Sequence, residues 1–190
     1  MSPEKINQKI QKAHDTLLLI AMFSIVMLFA GLTSAYIVSK GSIGSQWQLV
    51  PLPNAFFYST IIILISSFFL FLSNKYWQQE NEIYSKQLLL LTVIMGFGFF
   101  ITQYIGWKSL VDNGYFFVGS SNASSYIYIF SGLHLAHFVF GLFFLIQSYL
   151  KMTLKFLSKE TVLTFKIKNW FWHFLGFLWV YLYCFLSFWN

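Results

Sequence analysis

Residues 17–39 read LLLIAMFSIVMLFAGLTSAYIVS. The fold turns on whether this stretch is a secretion leader or a membrane span. Crossing a hydrocarbon core of about 30 Å takes about 20 apolar residues in a helix, and the stretch is that long and carries no charge. Lys5, Lys9 and Lys12 precede it, as basic residues precede a leader. A leader's apolar core is usually only about 7–15 residues, so a retained transmembrane helix is expected. Four more uncharged apolar runs follow, at about 54–74, 88–107, 126–150 and 170–189.

The composition agrees. Of 190 residues, 57% are hydrophobic and only 9% charged, which a water-soluble domain of this size does not tolerate. Barrel strands would be short and alternating, whereas these runs are long and apolar on every side. The expected fold is therefore all-α and integral to the membrane: five transmembrane helices in a bundle, with residues 1–190 as a single membrane domain. The connections are too short to form separate domains, so function is expected inside the membrane, at its surfaces or against other membrane proteins.

The formal charge of +6 comes from lysines placed mostly between the runs. With alternate sides assigned, ten lysines fall on one side and only Lys40 and Lys108 on the other. The excess of positive charge on cytoplasmic loops then puts the N-terminus in the cytoplasm and the C-terminus outside it. Position accounts for the charge, and no nucleic-acid partner is expected. A lone Cys184 excludes an internal disulfide and a CxxC redox pair.

Within SGLHLAHFVFG, residues 131–141, His134 and His137 stand three apart on a helix. A metal site would need further ligands, yet no Asp or Glu lies inside any of the five runs. A b-type haem would need a facing histidine at similar depth. From the rise of about 1.5 Å per residue, His137 lies roughly 16 Å from one face and His173 about 5 Å from the other, so their depths differ by on the order of 10 Å. His134, His137 and Gly141 share one stripe, expected to face other helices or a lipid headgroup, with neutral, hydrogen-bonded rings. Gly96, Gly98 and Gly106 on the third run, and Gly132 with Ala136 on the fourth, are expected where helices approach closely. Gln103 and the in-span Ser, Thr and Tyr residues are ordinary interhelical hydrogen-bonders. Nothing here forms an autonomous active site, and neither the metal nor the catalytic class of residue has a candidate.

Several ordered segments resemble the cytochrome c oxidase subunit III family, the third subunit of haem-copper terminal oxidases, in its five-helix bacterial form. SIVMLFAGL (24–32) is similar to that family's SEVMFFAG segment, and PLPN (51–54) to its proline turn before the next helix. LLLTVIMGFGFFITQYIGW (89–107) is similar to its LLxTxxxGxxFxxxQ helix, with Gln103 on the glutamine. SGLHLAHFVFG is similar to TGxHGxHVxxG, and NWFWHFLGFLWVYLYCFLSFW (169–189), with Trp172 and His173, to its closing WYWHFVDxVW run. The family's acidic positions are lost here: they fall on Ile25, Gly106, Lys166 and Gly176. Proton-donating roles tied to those carboxylates therefore do not transfer.

The resemblance implies an accessory, non-redox subunit of an oxidase that reduces O2 to water and builds a proton gradient, sited in the bacterial inner membrane. It implies oxidase subunits I and II as partners, with a subunit IV and a larger respiratory supercomplex as further candidates. Haem and copper are expected in the partner subunits and none in this chain. Phospholipid is a further expected ligand, and His134, His137, Gly141, Gln103, Trp172 and His173 are the candidates for structural, subunit or lipid contacts. Competing expectations are a subunit-III-like accessory protein of a nitric oxide reductase, a small transporter and a stand-alone b-type cytochrome.

Overall fold

A computed structural model describes the backbone of residues 3–154 and 159–189; the side chains of residues 3–8, 10, 11, 14 and 159–167 lie outside the description. Five helices account for nearly all of it: α1 Pro3–Ile43, α2 Asn54–Gln78, α3 Glu82–Asp112, α4 Asn122–Thr153 and α5 Lys159–Trp189. Each is long and apolar enough to cross a membrane. A 3-10 turn, Gly44–Gln46, follows α1.

The expected spans lie inside these helices, but most helices run beyond them. Backbone hydrogen bonding does not stop where hydrocarbon gives way to headgroups, so polar residues continue a helix until a stop signal intervenes. α2 begins where the sequence placed it, at Asn54, because Pro51 and Pro53 bar an earlier start. α4 begins earlier than Tyr126: the Ser121 hydroxyl oxygen accepts from the Ser124 N–H and caps the first turn. α3 is stopped just before Gly114, whose positive φ of 81° lets the Gly114 and Tyr115 N–H groups turn back onto Val111 and Leu110 carbonyls.

The buried positions of α2 and α3 follow a 3.5-residue repeat. On α2 they include Phe56, Ser59, Ile63, Ser66, Leu70 and Ser73; on α3 they are Ser85, Leu89, Thr92, Gly96, Phe99, Gln103, Gly106 and Leu110, with Val93 beside them. Such spacing keeps one seam of each helix on its partner and gives a left-handed, closely packed antiparallel pair. The seam is rich in small residues because lipid is as apolar as leucine, leaving packing and hydrogen bonds to hold helices together. At its base Ser73 Oγ donates to the Ser85 carbonyl at 2.8 Å, and Ser85 Oγ to the Ser73 carbonyl at 2.9 Å.

α4 and α5 form the centre. α5 packs against α1, α2 and α4, and α4 against α3, α5 and α1. α1 therefore flanks the bundle on one side and the α2–α3 pair on the other. Only 17% of the apolar window of α1 is covered by the rest of the chain, against 44% for α4, so α1 turns most of its surface outward.

Candidate functional site

The two histidines of α4 do not share a setting. A separation of three residues turns successive side chains by about 60° around the helix axis, enough to send them to different neighbours. His134 is wholly buried among α3 and α5: its ring lies 5.9 Å from Phe99, 5.1 Å from Trp179 and 6.2 Å from Phe138. His137 is half-buried and turns to α1, meeting Phe29 edge-on at 6.1 Å. Its Nδ1 lies 2.7 Å from the Leu133 carbonyl, one turn back on its own helix. The stripe was expected to face other helices or a lipid headgroup, and both rings do meet other helices, though different ones; His137 has a hydrogen-bonding contact. Neither ring nitrogen of His134 has a hydrogen-bond partner among the described residues.

Gly141, the third member of that stripe, is an internal packing position. A Cβ there would sit 2.6 Å from Leu175 Cδ1. Together with Gly96 on α3 it opens a slot for Trp172, whose indole comes within 3.0 Å of a Cβ built at Gly96 and 3.5 Å of one at Gly141. Trp172 Nε1 donates to Ser66 Oγ on α2 at 3.2 Å, so a single side chain from α5 reaches α2, α3 and α4. Gly132 and Ala136 behave otherwise: Gly132 meets nothing within 4 Å and Ala136 is exposed, so the close approach expected there is absent within the described residues. His173 is half-buried on α5.

Gln103 is fully buried and its Nε2 donates to Ser59 Oγ at 2.9 Å. Ser59 and Thr60 both donate to the Phe56 carbonyl at 2.8 Å, and Thr60 Oγ1 also receives the Trp179 indole N–H at 3.1 Å. One level closer to the α3–α4 turn, Trp107 Nε1 donates to Ser131 Oγ at 2.9 Å. The result is a core in which indole and hydroxyl groups cross-link all four helices from α2 to α5 around the His134 ring.

Two of the family's acidic positions are filled sterically. At Gly106 the Phe56 ring stands where a side chain would begin, 2.4 Å from a built Cβ. At Gly176 a Cβ would meet Ser67 Oγ at 3.2 Å and Ile63 Cγ1 at 3.4 Å. Ile25 is buried on α1, and the Lys166 side chain lies outside the described residues.

The sequence reading missed Phe99, Trp179, Ser59, Thr60 and Ser131 as site residues. The signal was present in the recurrence of Ser59, Ser66 and Ser73 and of Phe99 and Gly106 at intervals of seven, which marks a buried seam. Chemically the cluster can hold helices in register. Among the described residues no three His, Cys, Asp or Glu side chains converge to hold a metal. A haem does not fit against His134, because Phe99, Phe138 and Trp179 already stand around its ring.

Residues 4–190 match the family model for cytochrome c oxidase subunit III. Among individual relatives, the cytochrome c oxidase subunit 3 of Rhipicephalus sanguineus is 28% identical over 160 residues, covering 77% of this chain and 58% of the relative. That of Bacillus sp. (strain PS3) is 27% identical over 164 residues, covering 83% of this chain and 76% of the relative. The probable cytochrome c oxidase subunit 3 of Mycobacterium leprae (strain TN) is 23% identical over 167 residues, covering 86% and 81%. The chain thus spans little more than half the length of the Rhipicephalus protein and about four-fifths of the bacterial ones.

Proposed function

The chain belongs to the cytochrome c oxidase subunit III family, and on that premise we propose that it is an accessory, non-redox subunit of a respiratory haem-copper oxidase. In this role it packs against the catalytic subunit I, steadies it and orders phospholipid, while O2 reduction and its coupling to a proton gradient take place in its partners. The observation that carries the proposal is the family match along residues 4–190. The interior supports it: buried indole, amide and hydroxyl groups hold α2 to α5 together, and among the described residues the one wholly buried histidine, His134, is enclosed by aromatic rings.

The outward face of α1 supports a partner in the membrane. Phe23, Met27 and Val38 project from it at 71%, 76% and 68% exposure, and a Cβ at Gly31 would meet nothing within 4 Å. Such a face suits a second helix or an acyl chain. The membrane is the bacterial inner membrane, with the lysine-rich side and N-terminus cytoplasmic. Subunits I and II are the partners, and haem and copper reside there.

The test is to purify the chain by an affinity tag from its own membranes and to identify the subunits and haems that accompany it. The proposal expects a large haem- and copper-bearing oxidase subunit. A nitric oxide reductase in its place would replace this assignment with the neighbouring one.

A further inference from the structure

Three of the most deeply buried polar atoms in the bundle have no hydrogen-bond partner among the described residues: both ring nitrogens of His134 and Oε1 of Gln103. Both residues are wholly buried. Leaving such groups unpaired in an apolar interior is costly, and native interiors seldom do so.

The two side chains lie at one level of the bundle. On α3, Gln103 stands four residues from Phe99 and four from Trp107. On antiparallel α4, His134 stands between Ser131 and Phe138. Trp107 is bonded to Ser131 at 2.9 Å, and the Phe99 ring lies 4.4 Å from Phe138 and 5.9 Å from His134. Gln103 and His134 are therefore bracketed by the same pair of interhelical contacts.

The hydrogen-bond network also fixes their polarity. Ser59 Oγ gives its proton to the Phe56 carbonyl at 2.8 Å and accepts from Gln103 at 2.9 Å, so the nitrogen of the amide must face Ser59. Gln103 Oε1 is left as an acceptor with no partner among the described residues. A neutral imidazole has one N–H to give and one nitrogen that accepts.

We propose that one internal water molecule bridges His134 and Gln103, accepting the imidazole N–H and donating to Gln103 Oε1. Buried waters typically join about two to four polar groups, and this position supplies the minimum. The bridge completes a chain of donors running from His134 through the water, Gln103 and Ser59 to the Phe56 carbonyl, linking α4, α3 and α2. It also fixes which imidazole nitrogen carries the proton.

The experiment is a structure of the purified assembly in lipid at a resolution that resolves ordered water, paired with 15N-histidine NMR of the same preparation. A discrete peak about 2.7–3.2 Å from a His134 nitrogen and from Gln103 Oε1 is expected. Replacing Gln103→Met should remove that peak and shift the imidazole resonance that His134→Phe deletes, while Ser131→Ala leaves the resonance in place. The proposal is overturned by a wild-type map without the peak, by a direct His134–Gln103 bond, or by an unshifted resonance in Gln103→Met. Should that variant fail to assemble, the wild-type map decides alone.

Discussion

Gly106 offers the sharpest test of how the bundle packs. A Cβ at this position would fall 2.4 Å from Cε1 and 2.8 Å from Cδ1 of Phe56. The ring cannot easily yield, since Phe56 is 1% exposed and lies edge-on to Trp179 at 5.8 Å. Overpacking of a tight core costs about 1–3 kcal/mol. Against this, Gly→Ala in a helix interior gains about 1 kcal/mol from backbone propensity, so the net loss for Gly106→Ala is about 0–2 kcal/mol. Gly132→Ala isolates the second effect, because a Cβ there meets nothing within 4 Å. The difference between the two variants should be about 1–3 kcal/mol, roughly a 5- to 150-fold change in the folding equilibrium. Reversible unfolding in mixed micelles measures it. Adding Phe56→Leu to Gly106→Ala should recover part of the loss, with a coupling of about 0.5 kcal/mol or more. Equal stabilities for Gly106→Ala and Gly132→Ala, or strict additivity with Phe56→Leu, would refute the packing argument. The same geometry explains why a glutamate cannot be seated at this position while Phe56 holds its place.

Four further outcomes follow from named residues. Ser73→Ala removes one half of the reciprocal Ser73–Ser85 pair and should cost about 0.5–1.5 kcal/mol in the same unfolding assay. Trp179→Phe loses the indole bond to Thr60 and part of the wall around His134, and should cost about 1–3 kcal/mol. Trp170→Phe, at a residue 71% exposed, should stay within about 0.5 kcal/mol of the parent. His137→Leu should leave the optical spectrum of the assembled oxidase unchanged while reducing subunit association or retained phospholipid, since the ring contacts Phe29 of α1. A lost haem signal in an assembled complex would contradict that.

The five helices were legible because lipid demands long uncharged runs, and the start of α2 was legible because two prolines announce it. Helix ends were less so. α3 was expected over 88–107 but runs Glu82–Asp112, since hydropathy reports where hydrocarbon begins and not where hydrogen bonding ends. The sequence marked the histidines as residues needing an explanation but did not say which neighbours each ring meets. Hydropathy cannot say which neighbour a ring meets when a 60° turn separates α3 and α5 from α1. Trp172 shows the same limit: its role depends on glycines 76 positions away at Gly96 and 31 away at Gly141, which only the packed bundle brings together. The heptad of small residues on α2 and α3 did carry that information, in the period of the pattern more than in its composition.

The role proposed for this chain is to support a redox enzyme without taking part in electron transfer. Its most direct test is the haem and copper content of the isolated, correctly folded chain, by metal analysis and a reduced-minus-oxidised spectrum. Neither should exceed trace level, and both should be recovered when the partner subunits are retained. Stoichiometric haem or copper in the isolated chain would contradict it.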